Sequence, residues 1–244
     1  CVMLPVVALA AEKTASTYEE LKSAISTAND GDTIKLLADI DLSQTITVNK
    51  TITLNMNGKK LYNTSDLWDT PTAEADNWSL ISVRGSGNLT ITGNGTFAAK
   101  ENDCYAVDVQ ESATVTIKNG TFIGNIHAVY VFAGTANVEG GTYSVQQKYP
   151  DPAKGDEFVL NCYDANRANG TARINVTGGT FKNFNPADNK AEGEGNNFAD
   201  NSLVVQKNNT VQNNDYYVGN AANEVIAAAS KGEEIFVLNG TTLT

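Results

Sequence analysis

Four stretches decide the fold: LTITGNGTF (residues 89–97), TVTIKNGTF (114–122), TANVEGGTY (135–143) and RINVTGGTF (173–181). Each is a short run of alternating apolar and polar residues, then a glycine turn, then Thr and an aromatic ring. Alternation with a period of two turns one face of an extended strand inward and the other outward. The turn glycines Gly95, Gly120, Gly141 and Gly179 are 25, 21 and 38 residues apart, the spacing of a stacked repeat with one unit lengthened. YPDPAKGDE (149–157) supplies the extra length, since its two prolines and glycine mark a loop pushed out between strands.

A second alternating strand precedes each repeat: LISVRGSG (80–87), AVDVQESA (106–113), AVYVFAGT (128–135) and VLNCYDAN (159–166). Ile81 and Val83, Val107 and Val109, Val129 and Val131, and Leu160 and Cys162 fall on one face. Stacking equivalent strands in parallel, coil on coil, buries that face with the least rearrangement. The expectation is an all-β chain, a right-handed parallel β-helix over residues 15–218. A capping helix is expected over 17–28, because Thr17 and Glu20 form a capping box and Leu21, Ala24, Ile25 and Ala28 recur at helical spacing. Such a lid protects the open end of a β-stack. TIKLLADI (33–40), TITV (45–48) and TITLNMNG (51–58) then begin the solenoid. ANEVIAAASKGEEIFVLNG (222–240) repeats the opening order of helix, glycine and strand, so residues 219–244 form a second capping unit or open a further solenoid.

Residues 1–14 begin CVMLPVVALAAEK. This segment reads as the tail of a secretory signal, as a lipidated Cys1, or as a retained strand that docks on a neighbouring copy. No other segment reaches the ~18 apolar residues of a membrane span. The net charge of -11 with 17 Lys and Arg argues against nucleic acid. Three cysteines, Cys1, Cys104 and Cys162, do not make a disulfide framework. Cys104 and Cys162 lie two coils apart, about 10 Å by strand spacing, beyond the ~7 Å that a bridge allows. Both are expected as free thiols.

The NDGDTIKLL opening (29–37), ITLNMNGKKL (52–61), the repeated Gly-Thr-aromatic turns and FKNFNPADNKAEGEGNNF (181–198) resemble pectate-lyase-like right-handed β-helix proteins, most of all secreted or surface proteins of gut bacteria and their phages. The resemblance covers most of residues 17–218. It implies the fold rather than an activity, since lyases, hydrolases, adhesins and tailspikes share it. Enzymatic members would bring a calcium site of clustered Asp with an Arg base, or several Asp with a His and a basic pair. This chain departs from both: its single His127 lacks the glycine-flanked setting, and no Arg follows an acidic cluster.

Stacking turns outward positions into columns. One holds Ser82, Asp108, Tyr130 and Asn161, and beside it run Arg84, Gln110, Phe132 and Tyr163. Rings flanked by amides and a carboxylate suit a sugar, because rings stack on pyranose C–H faces while Asp and Asn take hydroxyl hydrogen bonds. Arg84, Asp108, Gln110, Tyr130, Phe132, Asn161 and Tyr163 are therefore the candidate glycan face. The competing reading is that a loop covers these rings. Asp108 with Glu111 or His127 would be needed for acid–base chemistry, and no recognisable partner set accompanies it. Residues 185–201 offer oxygen donors for calcium without the spacing of a defined loop, so no cofactor is assigned. Outward Thr90, Thr92, Thr114 and Thr116 would suit ice only as an unbroken ladder, and Asn137 with Glu139, then Asn175 with Thr177, interrupt it.

These features point first to a non-enzymatic, secreted or surface-displayed component of adhesin type that binds glycans or neighbouring proteins. A phage receptor-binding spike comes second and a polysaccharide lyase or hydrolase third. Self-association through the N-terminal segment or the solenoid ends is a further expectation.

Overall fold

The computed structural model describes residues 9–67, 79–100, 104–147, 158–187, 203–205 and 209–238. Among them the strands form three sheets of eight, nine and five strands. The chain visits the sheets in rotation. Thr51–Asn55 lies in the first, Lys60–Tyr62 in the second and Ser79–Val83 in the third, and Asn88–Thr92 then returns to the first beside Thr51–Asn55. The circuit repeats through Thr96–Ala98, Tyr105–Val109 and Thr114–Ile117, then through Thr121–Gly124, Val129–Val131 and Gly134–Val138. Successive strands of each sheet pair in parallel here, so the apolar residues of one coil lie directly on those of the next.

The sequence reading found two strands per coil, and the structure has three. The Gly-Thr-aromatic element is itself a strand of the second sheet, as in Thr96–Ala98 and Thr121–Gly124. It is too short to show alternation, which is why it reads as a turn. Its aromatic residue points inward. Phe97, Phe122, Tyr143 and Phe181 are fully buried and stack with centroid separations of 4.8, 5.1 and 5.1 Å and interplanar angles of 11–13°. Tyr143 donates its hydroxyl to the Gly140 carbonyl at 2.6 Å, and burial raises its pKa well above the usual tyrosine value.

The glycine before each Thr is dictated by the closeness of the coils. Gly141 has φ of +99°, and a Cβ there would stand 2.9 Å from the Gly120 carbonyl oxygen. That oxygen accepts from Thr142 N at 2.8 Å, as Gly95 O does from Thr121 N and Gly141 O from Thr180 N. A side chain would therefore disturb the ladder that joins adjacent coils.

Helix α1 (Tyr18–Thr27) caps the first coil with Leu21, Ala24 and Ile25 buried. Thr17 Oγ1 accepts from Glu20 N at 3.2 Å, while Glu20 Oε2 accepts from Ser16 N, one residue before the capping position. The first sheet reaches back before residue 15. Glu12–Ala15 is the terminal strand of the first sheet, in register with Thr33–Leu36. Asp32 fastens this start by accepting from Ala11 N and Asn29 N, and those bonds hold its carboxyl below the usual carboxylate range. Residues 1–8 and 149–157 lie outside the described residues.

VLNCYDAN is a strand only over Leu160–Cys162. It continues as helix α2 (Asp164–Ala168), a second cause of the lengthened coil. At the C-terminal end the second sheet changes direction. Asn209–Gln212 and Asp215–Val218 form a hairpin across Asn213 and Asn214, both at positive φ, and Asp215–Val218 runs antiparallel to Gly179–Phe181. Helix α3 (Asn220–Ala228) follows, and Phe236–Leu238 adds antiparallel to Asn209–Gln212. The opening and closing units therefore share an order of elements but not a mode of pairing.

On the outer face of the first sheet, Thr33, Thr53, Thr90 and Thr116 stand in one column before Asn137 and Asn175. The Asn175 amide donates to Asn137 Oδ1 at 2.9 Å. The threonine run is longer toward the N-terminus than the sequence suggested, and it gives way to amides where expected.

Removing one ring of the buried stack leaves a cavity between two coils. Phe122→Ala is expected to lower unfolding stability by about 3–5 kcal/mol, measured by denaturant titration. Gly141→Ala should also destabilise, through its backbone conformation and the crowding of the Gly120 carbonyl and the Tyr143 ring.

Candidate functional site

The third sheet carries the columns picked out from the sequence. Thr47, Ser82, Asp108, Tyr130 and Asn161 are in register across five strands. The ladder then continues one residue on, with Arg84 N, Gln110 N, Phe132 N and Tyr163 N each donating to a carbonyl of the preceding coil at 2.8–2.9 Å. The alignment of all seven candidate residues is thus as read.

Their exposure divides the column in two. Toward the N-terminus it is closed, which corrects the reading of these positions as surface. Ser82 is fully buried, Asp108 is 1% exposed and Gln110 is buried. Their polar atoms satisfy one another, with Ser82 Oγ donating to Asp108 Oδ2 at 2.9 Å and Gln110 Nε2 to Asp108 Oδ1 at 2.9 Å. Arg84 Nε donates to Ser82 Oγ at 2.9 Å. A buried carboxylate is tolerable only with such donors around it. Glu111, the suggested partner for Asp108, is exposed in the following turn at φ +61°.

Toward the C-terminus the column opens. Phe132 is 38% and Tyr163 43% exposed, and their rings stack at 4.7 Å. Beside them is a cleft of about 340 Å³ whose lining includes Tyr105, His127, Tyr130, Asn161, Tyr163 and Asp164. His127 is buried, with its ring 5.5 Å from Tyr130 at 12° and 5.2 Å from Tyr105. Its Nδ1 lies 2.7 Å from the Phe158 carbonyl oxygen and its Nε2 lies 3.2 Å from the Asn161 amide nitrogen.

The rings differ in one respect from what a sugar-stacking face needs. Phe132 packs on Tyr163, and Tyr130 packs on both His127 and Tyr105. The facing surfaces of these rings are therefore used against each other. What the stacking leaves to a ligand is the ring edges and the outer faces at the ends of each stack.

Tyr105 and Asp164 were not among the candidates. Strict alternation assigns Tyr105 to the inner face with Val107, but it opens its strand and its ring meets His127 and Tyr130. Asp164 was concealed by the misread start of α2. A larger groove of about 510 Å³ runs along Thr121, Thr142 and Thr180 beside α3, with Lys118, Glu139 and Glu224 at its walls. It has no aromatic residue, so the cleft is the better candidate for a specific ligand.

Among the described residues no group of three or more His, Cys, Asp or Glu side chains gathers as for a metal, and most of 185–201 lies outside them. Among the same residues no helix is long and apolar enough to cross a membrane. Comparison with known proteins returned no matching family model, no matching curated protein and no matching solved structure. What the chain itself defines is a mostly β protein of parallel strands in three regularly stacked sheets.

Cys104 and Cys162 are both buried, and neither is in a disulfide. Burial pushes the Cys104 thiol up to about 12, so it stays protonated and unreactive near neutral pH. Iodoacetamide should label Cys104 in the native protein only after unfolding, as read by peptide mass spectrometry. The folded state holds this proton more tightly than the unfolded state, so the thiol's contribution to stability is complete below 9.0 and is lost as pH rises toward about 12.

Proposed function

We propose that the chain is a right-handed parallel β-helix of the pectate-lyase-like kind, secreted or displayed at a cell surface, which binds glycans as a non-enzymatic component of adhesin type. The right-handed sense is supported by a general rule, since parallel strands joined through a crossover take the right-handed path in about 98% of cases. The observation that carries the binding role is the cleft of about 340 Å³ on the third sheet, lined among others by Tyr105, Tyr130, Asn161 and Asp164 beside exposed Phe132 and Tyr163.

Concave sites that join rings to a few fixed polar groups suit a sugar, whose C–H edges and hydroxyls alternate around one ring. The net charge of -11 favours neutral over acidic glycans. Asp108, the carboxylate that acid–base chemistry would need, is held by Ser82 and Gln110 inside the wall, which supports binding over turnover.

A glycan array followed by calorimetry tests this reading. The intact chain is expected to bind a subset of neutral glycans, and Tyr130→Ala and Phe132→Ala are each expected to weaken that binding about tenfold, or ~1.4 kcal/mol. Unchanged affinity in both variants, with the fold intact by circular dichroism, would remove the cleft from the reading.

A further inference from the structure

We infer that the groove between helix α1 and the strand Ile46–Val48 takes an extended, acidic segment of a partner protein, which adds to the third sheet as a further strand. This groove lies at the opposite end of that sheet from the aromatic cleft and does not depend on the glycan reading.

Ile46–Val48 is the terminal strand of the third sheet and pairs with Ser79–Val83 alone. Val48 O accepts from Arg84 N at 2.8 Å, so the peptide groups of Ile46 and Val48 face that neighbour. Backbone groups alternate in direction along a strand, which turns the N–H and C=O of Thr47 to the other side. Among the described residues neither group has a backbone partner, and the Thr47 side chain is exposed. Such an edge is a template for pairing with another chain.

The preceding coil does not fill this place with a strand. Because Thr33 stands beside Thr53, the residues level with Ile46–Val48 are 26–28, the end of α1 and its capping residue. A helix end cannot continue a ladder, and the Ser26 and Ala28 carbonyls accept from Lys50 Nζ at 2.6 and 2.7 Å. Helix α1 therefore covers the core of the first coil and leaves a groove of about 390 Å³ beside the strand.

The walls of the groove indicate what fits it. Tyr18 and Ile25 from α1 and Ile46 from the strand supply apolar contacts, and Lys22 is the one charged side chain in the lining. Its ammonium lies 5.7 Å from the centroid of the Tyr18 ring and, among the described residues, forms no ion pair. A carboxylate on the added segment complements it. Main-chain hydrogen bonds to Thr47 would supply affinity in this mode of recognition, while Lys22 and the apolar wall select the sequence.

The experiment probes the protein with an array of N-acetylated, C-amidated octapeptides of randomised sequence. Peptides that bind are expected to be rich in Val, Ile and Thr, to carry Asp or Glu and to lack a central proline. The best of them is expected to slow hydrogen exchange of the Thr47 amide, as read by NMR. Lys22→Glu should weaken its binding about fivefold. Thr47→Pro removes only the outward N–H, at an edge position where proline is tolerated, and is expected to abolish binding with the fold kept by circular dichroism. Thr47→Val changes the side chain alone and should retain binding.

An array without binders overturns the inference, as do binders that carry no carboxylate. A bound peptide that leaves the Thr47 amide exchanging as before also overturns it, whether or not the proline variant folds. Undiminished affinity in Lys22→Glu, or in a folded Thr47→Pro, has the same force.

Discussion

The constraint on which everything else depends is the hydrogen-bond ladder between successive coils. It holds equivalent residues about 4.8 Å apart, and that distance is also a comfortable separation for stacked rings. Phe97, Phe122, Tyr143 and Phe181 therefore satisfy backbone pairing and ring packing at once. The same closeness leaves no room for a Cβ at Gly141 without displacing the Gly120 carbonyl oxygen. Glycine and aromatic residue are two sides of one requirement, which is why they recur together along the chain.

Much of this was legible in the sequence, for a physical reason. Long alternating strands such as Asn88–Thr92 and Tyr105–Val109 show their inner face directly as Leu, Ile and Val. Stacking them needs no knowledge of the corners, so the outward columns through Tyr130 and Asn161 aligned as expected. The third strand of each coil was hidden because three or four residues beginning with Gly-Thr contain too little alternation to announce an extended conformation. The strand Glu12–Ala15 was hidden as well, since the small residues around Ala10 and Ala11 continue an apolar run without a break in pattern.

The candidate site was legible in position but not in accessibility. Periodicity states which way a side chain leaves its own strand and says nothing about what lies over it. Ser82 and Asp108 point outward as expected and are nonetheless buried. Nor does a column of aromatic residues reveal how the rings turn. Because Phe132 and Tyr163 occupy the same column, the coil spacing itself brings them face to face, and the open ring surface foreseen for a sugar is partly consumed inside the protein. Tyr105 was missed for the opposite reason: its parity is inward, but it opens its strand and its ring joins His127 and Tyr130 at the cleft.

The reversal at Asn213 and Asn214 affects one sheet in particular. Up to Gly179–Phe181 the second sheet runs parallel, strand after strand, and a further parallel strand could in principle be added in the same way. Asp215–Val218 arrives head to tail with its neighbour, so the next edge no longer matches the one before it. The hairpin therefore works as a polarity reversal at the growing end of a template. Beyond the reversal the second sheet is extended only by antiparallel pairing among the described residues, through Asn209–Gln212 and then Phe236–Leu238, so one sheet carries two modes of pairing.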